Sequence, residues 1–161
     1  MNDLLLKQGL IASLARTARA LQTLFDAQLK EMGLTAARGR VLLFLAKYHD
    51  GGATQTDVTD YLRVENPTAV RILDGLETLG YIRRRQSEVD RRAKIIELTE
   101  IGRPIADEVV RQSRHLYEGV LDDIPNADLE TAQRVLDTIL ENVSTMGTAR
   151  RWAHIQRESV L

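Results

Sequence analysis

The segment from residue 54 to residue 94 constrains the fold of this chain more than any other segment. It contains two short stretches in which apolar residues recur at helical spacing, separated by a few polar residues. Two extended stretches rich in arginine and isoleucine follow, with polar turn residues between them, which is the pattern of a β-hairpin. The segment is therefore predicted to form a helix, a turn, a second helix and a hairpin.

The second helix of this segment has the clearer start. Asn66 can accept hydrogen bonds from free backbone amides, and Pro67 suits the first helical position, where no amide donor is needed. We therefore predict that Asn66 caps a helix that begins at Pro67. Gly80 tolerates the left-handed backbone that ends many helices. The predicted buried stripe consists of Ala69, Ile72, Leu73, Leu76 and Gly80, with Leu79 on its margin.

The opposite face of this helix carries Arg71, Asp74 and Thr78, with Thr68 beside its first turn. Arginine can form two hydrogen bonds with guanine, and a threonine methyl group can contact thymine, so this face suits the major groove of DNA. The alternative is an ordinary amphipathic helix whose outer face is only solvated, because short patterns match readily by chance.

The hairpin concentrates positive charge. Residues 83–94 contain six basic and two acidic residues, a local charge of +4, whereas the whole chain carries −1. A run of charge usually forms a solvated face, but this run directly follows a plausible DNA-reading helix. Contact with a polyanion is therefore favoured, and the segment is interpreted as a winged helix-turn-helix.

The end of the hairpin carries a recognisable motif. Residues 90–92 (Asp-Arg-Arg), 98–99 (Leu-Thr) and Gly102 match the pattern D-x-R-x5-L-T-x-x-G. This pattern resembles the wing and the following helix start of the MarR family of bacterial transcriptional regulators. Residues 66–71 and the sequence DRRAK are most similar to the SlyA-type branch of that family. The resemblance implies a homodimeric DNA-binding repressor or activator, commonly relieved by small anionic aromatic compounds.

The resemblance also implies roles for individual residues. Arg92 corresponds to a wing-tip arginine that enters the minor groove, and Asp90 to the carboxylate that holds this arginine, although a simple ion pair within the wing is an alternative for Asp90. Arg84 is expected to contact phosphate. The predicted DNA-binding residues are Pro67, Thr68, Arg71, Arg84, Asp90, Arg91 and Arg92.

Composition excludes several kinds of chemistry. The chain has 161 residues, of which 43% are hydrophobic and 28% charged, so it is long enough to bury one core. The absence of cysteine excludes disulfides and cysteine-based zinc sites. His49, His115 and His154 lack ligand spacing, and no glycine-rich phosphate loop is present. We therefore expect no metal site, no cofactor and no enzymatic activity.

The flanking residues predict long helices and a cytoplasmic homodimer. No apolar run approaches the length of a bilayer, and the N-terminus lacks the order of a signal peptide. Helices are predicted over residues 3–32, with Gly33 ending the first one, from Thr35 to about residue 47, from Thr54 or Thr56 to Leu62, and from Thr99. A last helix is predicted from Asn126, either to Gly147 or onward through the tail. The first and last helices carry more apolar surface than one small lobe can cover, so two chains should pair over a near-palindromic DNA site.

The predicted fold class is mainly α with a small β-hairpin wing. Within one chain of residues 1–161, residues 34–98 are assigned to a winged helix-turn-helix DNA-binding lobe, and residues 1–33 and 99–161 to a helical dimerisation lobe.

A cleft between these two lobes could bind a small effector and hold the two DNA-reading helices at an unsuitable spacing. The SlyA-type pattern has an aromatic residue and a histidine in its second helix, whereas residues 38–43 of this chain have neither. A basic pair such as Arg16 and Arg19 is more often solvated than ligand-bound. The candidate effector-binding residues are Arg16, Arg19, Phe25, Tyr61 and His115.

An alternative function is a winged-helix module for protein contacts, without affinity for DNA. The two functions differ in their salt dependence, because phosphate contacts release counterions and weaken steeply as the salt concentration rises.

Overall fold

The computed structural model describes residues 3–48, 52–87 and 93–158, with side chains described as far as residue 146. Within these ranges the chain is mainly helical with a small antiparallel sheet of three strands, which confirms the predicted fold class. The elements are α1 (Asp3–Glu31), α2 (Ala36–Leu45), β1 (Ala53–Thr54), α3 (Gln55–Leu62), α4 (Asn66–Thr78), β2 (Ile82–Gln86), β3 (Lys94–Leu98), α5 (Gly102–Leu121) and α6 (Asn126–Glu158).

The chain divides into two compact units, Met1–Glu118 and Gly119–Leu161. The first unit contains α1 to α4, the sheet and most of α5, and the second contains the end of α5 and α6. The different division predicted from the sequence, with a DNA-binding lobe over residues 34–98, is a functional one and stays a prediction.

The core of the first unit is built from apolar side chains of α1 to α5 and of the sheet. Most of the stripe predicted on α4 is in this core, with Ala69, Leu73 and Leu76 buried and Ile72 packed against it. The other buried members include Phe25, Leu29, Val41, Leu42, Leu45, Val58, Ile82, Ile96, Ala106 and Val109.

Two threonines start helices as predicted. The Thr35 side chain accepts a hydrogen bond from the backbone amide of Arg38 at 3.3 Å. Thr54 accepts one from the amide of Asp57 at 3.1 Å, and the Asp57 carboxylate accepts one from the amide of Thr54 at 2.9 Å. This reciprocal arrangement is a capping box, so α3 is opened by Thr54 and not by Thr56.

The prediction that Asn66 caps α4 is wrong. Asn66 is already helical, and the extended residue before the helix is Glu65, which makes no side-chain capping hydrogen bond. The Asn66 side chain instead accepts a hydrogen bond from the Thr59 hydroxyl at 3.5 Å, so it links the two helices. Pro67 lies at the second helical position, where its missing amide is also harmless.

The predicted hairpin is present as β2 and β3, but the sheet has a third strand that was not predicted. β3 lies in the centre and pairs with β1 on one side, where Ala53 is opposite Ile96. On the other side Arg84 of β2 is opposite the same Ile96. β1 has only two residues, so it is too short to show the alternation that identifies a strand.

The long helices differ from prediction mainly in burial and at one end. α1 ends at Glu31, and Gly33 has a φ of 73° as expected of a terminating glycine. α6 passes Gly147 and continues to Glu158, the later of the two predicted ends, because a single glycine weakens a helix without stopping it. Of the apolar stripe predicted on α1, only Phe25 and Leu29 are buried.

Candidate nucleic-acid interface

Helices α3 and α4 form a helix-turn-helix with a tight connection. α3 ends at Arg63, whose φ of 52° and ψ of 45° place it in the left-handed region. Its amide donates to the Asp60 carbonyl at 3.2 Å. The chain then needs only residues 64 and 65 to reach α4. The N-terminal half of α4 is thereby brought to the surface next to the start of α3.

The side chains predicted to read DNA lie on the outer side of α4. Pro67 and Arg71 are exposed, and Thr68 is partly buried. Asp74 and Thr78 continue the same exposed face towards the C-terminus. The predicted recognition surface is therefore a solvent-accessible helix face.

Three consecutive arginines of β2 have different surroundings. Arg83 and Arg85 both bind Glu97 on β3, and the Nε atom of Arg83 lies 3.0 Å from Oε2 of that carboxylate. The Glu97 side chain is 13% exposed. The hydrogen bond from Arg85 is the main cause of a lowered pKa at Glu97, which burial opposes and Arg83 reinforces.

Arg84 lies on the opposite face of β2, against α4. Its guanidinium pairs with Asp74, with Nη2 and Oδ1 2.7 Å apart, and also with Glu77. The Arg84 side chain is 15% exposed, so it offers little surface to a phosphate. This placement does not favour the phosphate contact predicted for Arg84. The alternation of side chains along a strand could have indicated that Arg84 faces inward, because residues 82 and 84 share one face and Ile82 is buried.

The ion pairs reduce the charge that the hairpin presents. Its arginines 83, 84 and 85 are all paired with carboxylates. The count of +4 covers residues 83–94 only, so it leaves out the three partner carboxylates, which are Asp74 and Glu77 on α4 and Glu97 on β3. The predictions for residues 90–92, namely Asp90, Arg91 and Arg92, lie outside the described residues.

A polar groove of about 480 Å³ runs between the start of α3, α4 and the hairpin. Its lining includes Thr54, Thr56, Asn66 and Lys94. The first turn of a helix presents unpaired amides and a positive dipole end, which favour an anionic group such as a phosphate. The groove thus places a helix start, a lysine and the recognition helix along one polar surface.

A second cavity of about 200 Å³ lies within the first unit and contains two of the predicted effector-binding residues, Phe25 and Tyr61. Arg40 and Tyr117 also line it, and Nη2 of Arg40 is 3.7 Å from Oδ1 of Asp26. Burial is the main cause of a raised pKa at Tyr61, with Tyr117 adding to it. Tyr61 is therefore a neutral hydrogen-bond donor at physiological pH.

The remaining predicted effector-binding residues do not line this cavity. Arg16, Arg19 and His115 are exposed, and Arg16 donates to the Ser13 hydroxyl at 3.2 Å. The sequence analysis missed Arg40 and Tyr117, whose positions 77 residues apart are related only by folding. The aromatic wall extends through Phe44, which stacks on Tyr61 with ring centroids 4.5 Å apart.

Comparison with known proteins decides the family. A model of the MarR family matches residues 32–93. The HTH-type transcriptional regulator YwoH of Bacillus subtilis (strain 168) is 30% identical over 132 residues, which are 82% of this chain and 94% of YwoH. The chain belongs to the MarR family. Another regulator of that organism, YybA, is 27% identical over 157 residues, covering 98% of this chain and 96% of YybA.

Solved structures have the same fold. The transcriptional regulator PA3341 is 36% identical and superposes with a TM-score of 0.76, covering 83% of this chain and 97% of PA3341. MepR of S. aureus, solved in complex with DNA, is 23% identical with a TM-score of 0.71. The superposition covers 81% of this chain and 96% of the MepR chain. NadR, solved with 4-hydroxyphenylacetate, is 21% identical with a TM-score of 0.68. The superposition covers 80% of this chain and 89% of the NadR chain.

SlyA itself does not stand apart from other MarR-family structures. It is 24% identical to this chain with a TM-score of 0.71, covering 84% of this chain and 94% of SlyA. These values are close to those for MepR. The family model and the relatives therefore show the MarR family and its DNA-binding winged helix. The structures do not separate the SlyA-type branch from the rest of that family.

The described residues carry no group of three or more potential metal ligands. Among the helices described here, none is both long and apolar enough to cross a membrane.

Proposed function

We propose that this MarR-family protein is a sequence-specific transcriptional regulator that binds double-stranded DNA as a homodimer in the cytoplasm. The observation that carries this proposal is the outer face of α4, where Arg71 is exposed on a helix whose Asn66, Val70 and Asp74 line the polar groove. Arg71 would read a base in the major groove, and Pro67 and Thr68 would position the helix start against the DNA. The amides at the start of α3 would bind phosphate.

The wing is proposed to reach the minor groove. By the family resemblance, Arg92 would insert there with Asp90 holding its side chain and Arg91 beside it. A narrow minor groove concentrates negative potential and therefore favours an inserted arginine. The solved complex of MepR with DNA, a protein of the same fold, supports DNA as the partner of this chain.

Dimerisation is proposed from the apolar surface of α1 and α6. Leu5 and Leu10 in α1 are 62% and 49% exposed, and Leu140 and Val143 in α6 are 63% and 60% exposed. Each of the two helices thus exposes several large apolar side chains, and an exposed apolar patch usually marks an interaction surface. A twofold axis would place the two recognition helices about 34 Å apart on a near-palindromic site.

A small anionic aromatic effector is proposed to bind the cavity lined by Phe25, Arg40, Tyr61 and Tyr117. The tyrosines and Phe25 offer an aromatic surface, and Arg40 can exchange Asp26 for a ligand carboxylate. The structure of NadR with 4-hydroxyphenylacetate supports an effector of this class. The finer assignment to the SlyA-type branch is carried by residues 66–71 and the DRRAK motif.

The DNA-binding proposal is tested by fluorescence anisotropy on the duplex upstream of the protein's own gene and on a scrambled duplex, over a series of salt concentrations. We expect tight, salt-sensitive binding to the upstream duplex that is lost in Arg92→Ala. The matched control is Arg111→Ala, which removes an exposed arginine of α5 that pairs with Glu108. If neither this duplex nor genomic fragments selected for binding are retained, the protein is a winged-helix module for protein contacts.

The effector proposal is tested by thermal shift with 4-hydroxyphenylacetate as the probe. Wild type is expected to gain stability with increasing ligand, because binding to the folded state alone raises the unfolding temperature. Arg40→Met should lose most of this gain, whereas Arg16→Met, outside the cavity, should keep it. Equal gains in both variants would exclude Arg40 as the carboxylate partner.

A further inference from the structure

Arg84 differs from its neighbours in β2 by facing the recognition helix. Alternation along the strand places Arg83 and Arg85 on the side of Glu97, and Arg84 on the side of α4. The Arg83 side chain is 69% exposed, whereas the Arg84 side chain is 15% exposed. Arg84 is thus a largely buried cation between the wing and the helix that carries Arg71.

The guanidinium of Arg84 contacts α4 over two turns. It pairs with Asp74 at 2.7 Å and with Glu77, and its Nη2 atom is 3.5 Å from the carbonyl oxygen of Val70. The backbone amide of Arg84 also donates to Oε1 of Glu77 at 3.2 Å. The planar guanidinium carries five donors and can bind several acceptors at once, whereas a lysine is a single compact charge. These contacts tie the strand to the helix at several points.

The two carboxylates held by Arg84 are close to the proposed DNA surface. Asp74 is 56% exposed and Glu77 is 42% exposed. Asp74 also lies three residues after Arg71, a spacing at which side chains of opposite charge meet on a helix. Without Arg84, Asp74 would be available to bind Arg71 and so to compete with the DNA for it.

We propose that Arg84 is a positioning residue for DNA recognition, which joins the wing to the recognition helix and holds Asp74 away from Arg71. The inference rests on the proposed DNA-binding function. It assigns Arg84 a role that does not include direct contact with phosphate.

Direct contact and positioning have different signatures. A residue that neutralises one phosphate contributes about 0.9 to the slope of log affinity against log salt, and its loss is not restored by changes elsewhere. A positioning residue leaves that slope unchanged, because it does not release a counterion. Its loss is relieved when the carboxylates that it controls are neutralised.

The experiment compares Arg84→Met with the triple variant Asp74→Asn/Glu77→Gln/Arg84→Met by anisotropy, using the duplex that wild type prefers and a random duplex. Arg84→Met is expected to weaken binding to the preferred duplex by about tenfold, a size typical of coupling between contacting residues of one ion-pair network, with the salt slope unchanged. Binding to random duplex should fall less, because Arg71 reads bases. The triple variant should recover most of the lost affinity.

The matched control is Arg83→Met, which removes the same charge from the adjacent position without touching α4. Neutralising Asp74 and Glu77 should not improve the binding of this variant. A salt slope reduced by about 0.9 in Arg84→Met with no recovery in the triple variant would show direct phosphate contact and overturn the proposal. Unchanged affinity in Arg84→Met would overturn it as well.

Hydrogen exchange of the DNA-free protein separates this proposal from the DNA-binding function. Arg84→Met should speed exchange in β2 and β3 while leaving α2 unchanged, and Arg83→Met should affect β2 less. If wild type binds no duplex, the proposed function fails. Hydrogen exchange then still tests whether the contacts of Arg84 hold the wing against α4. Unchanged exchange in Arg84→Met would show that the contacts of Arg84 do not hold the wing against α4.

Discussion

At the scale of single residues, the surroundings of each arginine decide its role more than its place in a basic run. Arg71 is exposed on the outer face of α4. Arg84 lies in β2 and is largely enclosed by two carboxylates of α4, which follow Arg71 by a few residues. Both are equally basic in the sequence. Only the exposed side chain is available to a base edge, so the two should differ sharply when replaced.

Replacing Arg71 with alanine should relax the preference at one base pair and cost about 1–3 kcal/mol of binding free energy, because one two-pronged contact with guanine is lost. The measurement is anisotropy over all single-base variants of the preferred duplex. Arg92→Ala provides the comparison, since it should weaken binding without relaxing preference at that base pair. Equal losses on preferred and random duplex for Arg71→Ala would contradict its role as a base reader.

Gly102 also has a role that only its neighbours explain. A Cβ atom added at this position would lie 1.8 Å from the carbonyl oxygen of Tyr81, which is backbone and cannot rotate away. The same carbonyl accepts a hydrogen bond from the amide of Thr99 at 3.1 Å. The start of α5 is therefore packed directly against the chain that enters β2.

Gly102→Ala should lower the free energy of unfolding by about 1–3 kcal/mol or more, as overpacking of a well-filled site does. Gly119→Ala in the same helix is the matched control, because an added Cβ there meets no atom within 4 Å. The control should be neutral or slightly stabilising, since alanine favours helix over glycine. Urea unfolding measures both, and equal stability of the two variants would refute the close approach at Gly102.

At the scale of elements, the sheet is held by charge as well as by backbone hydrogen bonds. Glu97 of the central strand β3 binds two arginines of β2. Its pKa lies below the ordinary value of 4.5, mainly because of the hydrogen bond from Arg85. The folded protein thus binds fewer protons at this carboxyl than the unfolded chain in the acidic range.

This stabilisation is complete above the unfolded pKa of Glu97 and is lost as the pH falls through the lower folded pKa. Glu97→Gln should therefore be less stable than wild type at pH 7, and the difference should shrink as the solution is made acidic. Denaturant unfolding over a pH series measures this, with Glu130→Gln on the exposed surface of α6 as the control for loss of one charge. A difference that stays constant with pH would exclude an ionised Glu97 as the stabilising group.

The ends of the helices and the short strand β1 show which features local sequence predicts and which it does not. The caps at Thr35 and Thr54 and the terminating Gly33 and Gly80 were predicted because their signals are contained within a few residues. β1 was missed because its identity depends on pairing with β3, more than 40 residues away. The cap of α4 was predicted at Asn66, one residue too late, because α4 starts directly after the turn that contains the left-handed Arg63.

At the scale of the whole molecule, the exposed apolar residues of α1 and α6 are the main feature that a single chain leaves unexplained. The leucines at the start of α1 are more than half exposed, with Leu4 at 59%, Leu5 at 62% and Leu6 at 54%. Burying such residues stabilises a protein by about 25 cal/mol per Å² of apolar surface removed from water. A second copy of the chain is proposed to cover them.

Leu5→Asp/Val143→Asp should convert the proposed dimer to a monomer, because burial of unpaired carboxylates in an apolar interface is costly. Analytical ultracentrifugation at micromolar concentration gives the mass of each form. Leu79→Asp is the control, since Leu79 is 43% exposed at the end of α4 and outside the proposed interface. A wild-type protein that sediments as a monomer would defeat the dimer proposal and its near-palindromic DNA site.

The sequence by itself determined the order of helices, the hairpin and the family motif, because these depend on periodicity and on short-range capping and turn preferences. It also predicted a recognition face on α4 that the structure exposes. Only the tertiary structure decided that Arg84 binds Asp74 and Glu77, and that Arg40 and Tyr117 share a cavity. Arg40 and Tyr117 are 77 residues apart in the chain, and Arg84 meets its two carboxylates across the turn between α4 and β2. Both relations follow from packing between different elements, whereas sequence periodicity indicates only which face of one element a side chain occupies.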